Sequence, residues 1–212
     1  MAQRTMDNLD LVGGNVALDF ANSGDGPHTG GTPTERLHTY HDLVTFAERS
    51  GLIGPSRAAE LRAESERRPG VAGEVVMRAR RLRDTLYSMF SGVALRGRAP
   101  EEDIAVLNGF LEEGMRYRRL EPDDRCCGWT WSAGEEPLAQ MMWPIVNAAA
   151  ELLVEGELER VKTCGNEACA WLFLDMSRNR SRRWCDMKDC GNRAKARRHY
   201  ARQRGTAADR GA

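Results

Sequence analysis

Four cysteines in the last quarter of the sequence have the spacing of a metal site. Cys164 and Cys169 are separated by four residues, and so are Cys185 and Cys190, with residues 170–184 between the two pairs. Each short pair can close a turn that aims both sulfurs at one centre, and four thiolates complete a tetrahedron around zinc. Such a closed site leaves no position for water, so we expect one structural Zn²⁺ that stabilises a small finger.

Other metal chemistry is less favoured by the same residues. An iron–sulfur cluster uses four thiolates too, but the Arg-rich, compact segment favours zinc. His199 lies nine residues after Cys190, and we expect it on a helix that faces away from the metal. Cys126 and Cys127 are adjacent and far from the cluster in sequence. Because two neighbouring side chains seldom serve one site, we expect them to be ordinary thiols.

The segment around the four cysteines is strongly basic. Residues 160–204 contain 13 Lys and Arg against four Asp and Glu, a net charge of +9, whereas residues 1–159 contain 17 against 26, a net charge of −9. A dense basic segment is typical of proteins that bind nucleic acid. Alternatively, the acidic and basic parts of the chain neutralise each other by docking.

Because few acids interrupt the basic stretches, we expect that internal salt bridges do not consume their charge. The candidate DNA-binding residues are Arg178, Arg180, Arg182, Arg183, Arg193, Lys195, Arg197, Arg198 and Arg202.

Aromatic residues inside the finger allow two interpretations. Trp171, Phe173 and Trp184 could stack on bases, which would favour RNA or single strands. They could instead form a small hydrophobic core around the zinc. The second interpretation is favoured, because residues 171–174 contain no polar position.

A longer pattern surrounds the four cysteines. It consists of Trp171-Leu172-Phe173-Leu174-Asp175, Ser177-Arg178-Asn179, Arg182-Arg183-Trp184-Cys185, Met187, and Cys190-Gly191-Asn192-Arg193 with Lys195. Over about residues 160–200 this pattern resembles a known family, the CGNR zinc finger. The preceding part contains Gly13-Gly14, Leu18-Asp19-Phe20 with Asn22, Asp42-Leu43-Val44, Pro144-Ile145 and Leu152-Leu153, and through these residues it is similar to the ABATE domain.

The resemblance implies a bacterial, stress-induced transcription regulator in which a sensor-like domain precedes a zinc-stabilised DNA-binding end. It places the zinc ligands on the four cysteines of the finger. It places the basic residues of the family on Arg182, Arg183, Arg193 and Lys195. The sequence departs from the family at Asp186, where a small hydroxyl residue is expected, and an acid there weakens the case for an anion site beside the zinc.

Helices must position these residues. Thr32-Pro33-Thr34-Glu35 predicts the start of one helix, and Pro55 and Pro69-Gly70 bound a second. A third helix should end by Gly97, and Pro100 should begin a fourth. Residues 138–153 should form a fifth helix, in which Pro144 marks either a kink or the true start. Alternation around residues 129–131 predicts a short hairpin. We therefore expect a mainly α fold with a small β-hairpin: a helical N-terminal domain (1–157), a four-cysteine zinc finger ending in a basic helix (158–204), and a flexible tail (205–212).

Polar residues near the start of the helical domain are candidates for an effector site. Asn15, Asp19 and Asn22 could bind a small ligand, although capping or turn formation is favoured for Asp19 and Asn22. Gly13-Gly14 is no phosphate-binding loop, because the Gly-Lys-Ser/Thr that such a loop requires is missing.

Several function classes are disfavoured. No apolar run could span a membrane and no secretory signal is visible, so we expect a cytoplasmic protein. His28, His38 and His41 match no catalytic motif, so we expect no enzyme. The favoured function is a zinc-dependent, ligand- or stress-responsive regulator that binds double-stranded DNA as a homodimer. The alternative is an RNA-binding or protein-docking module in which zinc is purely structural.

Overall fold

The computed structural model of the chain describes residues 5–24, 35–124, 126–132, 134, 136–166 and 168–197. The described part is mainly helical and contains the small hairpin, as the sequence predicted, together with a second antiparallel hairpin in the finger. The elements are α1 (Val16–Ala21), α2 (Tyr40–Arg49), α3 (Pro55–Arg67), α4 (Pro69–Arg96), α5 (Glu101–Met115), β1 (Arg118–Pro122), β2 (Cys127–Trp131), α6 (Met142–Val154), β3 (Val161–Thr163) and β4 (Leu172–Leu174). A π-helical turn, Met187–Gly191, leads into a short α-helix over residues 192–197.

Local sequence signals set most helix ends. Proline occupies the first position of α3 and of α4, where its missing N–H costs no hydrogen bond. Helix α4 ends at Gly97, whose φ of 71° is the left-handed conformation that glycine adopts at little cost. Pro144 lies in the first turn of α6, so it marks the start of that helix and no kink.

The start of α2 differs from the prediction. Residues 32–34 of the predicted cap lie outside the described residues. Helix α2 begins only at Tyr40, after a capping box in which Thr39 and Asp42 exchange hydrogen bonds. Glu35 instead accepts hydrogen bonds from the backbone N–H groups of Arg36 and Leu37 and pairs with Arg83. The sequence Thr39-Tyr40-His41-Asp42 has the same capping-box pattern seven residues later, and helix α2 begins at this second pattern.

The core continues from the helical domain into the finger. Strands β1 and β2 form one hairpin, in which Leu120 faces Trp129. Strands β3 and β4 form the other, with Val161 opposite Leu174. Val161 and Leu172 of this second hairpin are buried in the same hydrophobic cluster as the helices, and the hairpin packs against α1 and α4. The finger is thus attached to the helical domain by a shared core.

None of the described helices is both long enough and apolar enough to cross a membrane.

Candidate zinc centre and basic surface

The four predicted cysteines meet at one point. All four Sγ atoms of Cys164, Cys169, Cys185 and Cys190 lie within 4.8 Å of one another. The Sγ atoms of Cys169 and Cys185 are 3.6 Å apart, and those of Cys185 and Cys190 are 3.8 Å apart. A tetrahedral zinc ion with Zn–S bonds of about 2.3 Å requires sulfur–sulfur edges of about 3.8 Å. The cluster therefore fits one structural Zn²⁺, and three of its four cysteines are buried.

Backbone hydrogen bonds shape the first cysteine loop. The N–H of Cys164 donates to the carbonyl of Trp171 (2.8 Å), which continues the pairing of β3 with β4. The N–H of Gly165 donates to the carbonyl of Arg183 (2.8 Å), and that of Cys169 to the carbonyl of Asn166 (2.7 Å). These bonds close the tight turn that places both sulfurs of the pair on one side.

The second cysteine loop is a capped helical turn. The Asp186 carboxylate accepts a hydrogen bond from the N–H of Lys188 (2.6 Å), and the Asp186 carbonyl accepts one from the N–H of Gly191 (2.9 Å). This explains the departure from the family pattern at Asp186. A serine or threonine at this position would supply an equivalent cap, so the acid keeps the structural role of the hydroxyl residue.

The aromatic residues form the small core that the sequence favoured. Phe173 is fully buried and packs with three of the cysteines, while Trp171 and Trp184 are half-buried against the same cluster. The Arg182 guanidinium lies 4.5 Å from the centre of the Phe173 ring. Stacking of Phe173 on a nucleic-acid base is therefore excluded by its burial.

Asn166 connects the zinc cluster to the basic helix, a role that the sequence gave no reason to expect. Its side chain is buried, and its Nδ2 donates to Sγ of Cys190 (3.5 Å). Its Oδ1 accepts a hydrogen bond of 2.6 Å from the guanidinium of Arg197. The helix at residues 192–197 is thereby held against the first cysteine loop.

Asp175 organises the basic loop that follows β4. The carboxylate is fully buried and accepts hydrogen bonds from Lys162 Nζ (2.5 Å), from Ser177 and from the N–H of Arg182 (3.0 Å). Burial alone would raise the pKa of Asp175, but these donors together hold it well below its ordinary value. The carboxylate thus fixes the ends of the loop 176–181, which carries Arg178 and Arg180.

The candidate DNA-binding residues fall into different environments. Arg178, Arg183 and Lys195 are exposed and form no ion pair with any of the described residues. Arg180 pairs with Glu157 and Glu159, and Arg193 pairs with Asp189. The expectation that salt bridges leave the basic charge untouched is therefore wrong, because Glu157 and Glu159 precede the basic segment and Asp189 lies one helical turn before Arg193. Arg198 and Arg202 lie outside the described residues.

Arg182 points into the molecule. Its guanidinium donates to the carbonyls of Trp184 (2.9 Å), Cys185 and Val12 (3.4 Å). These bonds tie the second cysteine loop to the N-terminal segment. Sequence alone could not separate Arg182 from its neighbour Arg183, because only the fold decides which of two adjacent arginines faces inward.

The three candidate effector residues are engaged within the chain. Asn15 caps α1 by accepting from the N–H of Ala17 (2.8 Å). Asp19 accepts from the N–H of Gly13 (2.7 Å), and burial raises its pKa to about 6 although that bond opposes the rise. Asn22 forms two hydrogen bonds with the backbone of Leu172, both 2.8 Å long. Their binding of an effector stays a prediction.

Two further contacts join the helical domain to the finger. The Tyr87 hydroxyl on α4 donates to the carbonyl of Ala170 (2.9 Å), and the N–H of Leu174 donates to the carbonyl of Gly13 (2.7 Å). The double glycine noted in the sequence thus approaches β4 directly, and a Cβ at Gly13 would lie only 2.9 Å from the Asp19 carboxylate.

The two histidines that the structure describes show no catalytic arrangement. His38 and His41 are both exposed, and His41 lies 4.0 Å from Glu66 at the surface. His28 and His199 lie outside the described residues. Neither histidine that the structure describes is held against a nucleophile or a buried acid.

Two family models match the chain. One is ABATE, described as "Putative stress-induced transcription regulator", which matches residues 14–156. The other is the CGNR zinc finger, which matches residues 160–203. Neither is an enzyme family. No curated protein matches the sequence significantly.

Proposed function

Because the chain belongs to the ABATE family and continues into a CGNR zinc finger, we propose that it is a DNA-binding transcription regulator. In this proposal zinc fixes the finger, exposed cations of the finger contact DNA phosphates, and the helical domain receives a ligand or stress signal. The homodimer, the effector and the cytoplasmic location expected from the sequence belong to the proposal as well.

The observation that carries the proposal is the placement of three exposed cations on segments of the finger that the cysteine cluster and the buried Asp175 hold in place. Arg183 lies directly between the cysteine pairs, and Lys195 lies on the short helix after Cys190. Arg178 lies on the loop organised by Asp175. Since the described residues offer these three cations no acidic partner, each is available to a phosphate.

The paired arginines can join the interface at small cost. The ion pair of Arg193 with Asp189 is more than half exposed on both sides, and such pairs contribute about 0–1 kcal/mol. A phosphate can therefore replace the carboxylate. With about five phosphates neutralised, log K should fall against log salt concentration with a slope of about −4 to −5 on duplex DNA.

The test is fluorescence anisotropy of the zinc-loaded chain with duplex DNA and single-stranded RNA over a salt series. We expect duplex binding in wild type, and a slope about two to three units shallower in the triple variant R178Q/R183Q/K195Q. The matched control is R81Q/R96Q/R98Q, which removes the same charge from exposed arginines of the helical domain and should leave the slope unchanged. Deletion of the finger is a poor control, because it removes part of the shared core.

Three outcomes would overturn the proposal. A preference for single-stranded RNA would support the alternative RNA-binding function. Failure to bind either nucleic acid at low salt would instead favour docking of the basic segment on an acidic protein surface. If both triple variants weaken binding equally, net charge alone would account for the affinity, and the finger would not be the contact surface.

A further inference from the structure

Two cysteines outside the zinc cluster are exposed and adjacent. Cys126 and Cys127 lie at the β1–β2 hairpin, and their Sγ atoms are 3.7 Å apart. Cysteine is among the residue types most often buried, and these two side chains pack in no hydrophobic cluster of the described residues. Packing therefore gives no reason for a thiol at either position.

The turn of the hairpin explains why both sulfurs approach each other. Neighbouring side chains on a strand point to opposite faces, so two adjacent cysteines within one strand would keep their sulfurs apart. Cys126, however, lies in the turn: its N–H donates to the Asp123 carboxylate (2.8 Å), and its carbonyl accepts from the N–H of Asp123 (3.3 Å). Only Cys127 is part of β2, where it faces Pro122. The two sulfurs consequently form a pair.

The separation suits a bridging ion better than a disulfide. Adjacent residues joined by a trans peptide have Cα atoms about 3.8 Å apart, whereas disulfides usually need about 4.4–6.8 Å. Closing a disulfide would also bring the sulfurs from 3.7 Å to about 2.05 Å. An ion with bonds of about 2.3 Å to sulfur spans two sulfurs about 3.8 Å apart, so it fits with almost no movement.

We propose that Cys126 and Cys127 form a second, open site that captures a trivalent arsenical through two thiolates. No carboxylate, imidazole or third thiol among the described residues lies within 4.8 Å of both sulfurs. A tetrahedral metal would need two further ligands from the protein or solvent. Trivalent arsenic is three-coordinate and needs only one, which an organic group or hydroxide supplies.

The capture step involves no change of oxidation state. With phenylarsine oxide as the probe, two S–H bonds break and two As–S bonds form. The oxygen on arsenic leaves as water with both thiol protons. The product is a cyclic dithioarsonite at the hairpin, and the zinc site takes no part in the step.

Trp129 provides a local signal. It lies two positions after Cys127 on β2, on the same face of the hairpin, and 59% of it is exposed. Arsenic bound at the two thiolates should therefore change its fluorescence. The variant W129F should remove this change and leave arsenic binding intact.

The experiment titrates the zinc-loaded full chain with phenylarsine oxide and counts bound arsenic and zinc by native mass spectrometry. We expect one phenylarsenic group and one zinc per chain. The adduct should survive excess glutathione and be removed by dithiothreitol. The variants C126S and C127S should each lose affinity by about 100-fold or more, because a single As–S bond lacks the chelate advantage. Both variants should retain zinc, which shows that the fold is intact.

Three results would overturn the proposal. The first is arsenic uptake that displaces zinc, which would place the reaction at the finger cysteines. The second is equal retention of arsenic in C126S or C127S. The third is failure to take up arsenic while mild oxidation closes a Cys126–Cys127 disulfide, which would make the pair a redox site.

Discussion

Substituting Asn22 by alanine should weaken the attachment of the finger to the helical domain. The Asn22 side chain is fully buried, and it supplies both hydrogen bonds of the Leu172 backbone N–H and C=O at this point. Alanine removes the amide and leaves the buried N–H and C=O of Leu172 without the partner that the structure shows for them. Each unsatisfied group costs about 1–2 kcal/mol, so the free energy of unfolding should fall by about 2–4 kcal/mol.

Urea unfolding of the zinc-loaded chain measures this change. With a denaturant slope of about 2 kcal/mol per molar urea, the midpoint should fall by about 1–2 M. Asn192→Ala is the matched control, because this asparagine is exposed and its side chain donates one hydrogen bond, to the carbonyl of Lys188. Its effect should stay below about 0.5 kcal/mol.

The reasoning would be refuted if Asn22→Ala and Asn192→Ala shifted the midpoint equally. A loss in Asn22→Ala confined to the helical signal, with unchanged release of zinc to a chelator, would also contradict it. The contact joins α1 to β4, so both parts of the chain must respond.

Three other changes test separate parts of the structure. Cys185→Ser should release the zinc and unfold the finger, and metal analysis and circular dichroism measure these two changes. A native-like dichroism spectrum with one retained zinc would contradict the four-thiolate site. Asp19→Asn should flatten the pH dependence of stability, because the folded state of the wild type binds a proton between pH about 4 and 6 that the unfolded chain has released. Wild-type stability should therefore fall by about 2–3 kcal/mol more than that of the variant as the pH rises through this window, measured by urea unfolding at each pH. Arg182→Gln should lower the free energy of unfolding by about 2 kcal/mol, whereas Arg183→Gln should change it by less than about 0.5 kcal/mol. Equal effects of the two substitutions would mean that the inward contacts of Arg182 contribute nothing to stability.

The parts of the structure that depend on local spacing could be predicted. The equal spacing within Cys164–Cys169 and Cys185–Cys190 was enough to identify the cluster, because short loops can aim two sulfurs in only a few ways. Proline and glycine likewise marked the ends of α3 and α4, since both residues act on the backbone directly.

The contacts that join distant parts of the chain could not be predicted. Asn22 and Leu172 are separated by 150 positions, and no periodicity in the sequence connects a buried amide to a particular backbone segment. The partners of Arg180 were missed for the same reason: Glu157 and Glu159 belong to the linker, outside the basic stretch where acids were counted. A charge count gives composition, whereas availability to a phosphate depends on which side chains the fold brings together.

The shared core also has a consequence for synthesis of the chain. The ribosome makes α1 long before β4, so the Asn22 amide and the faces of α1 and α4 that contact β4 lack their partner until Leu172 has emerged. We therefore expect the helical domain to complete its packing only after β4 has been made. Because β4 lies between the two cysteine pairs, we expect a shortage of zinc to lower the yield of the folded helical domain as well as that of the finger.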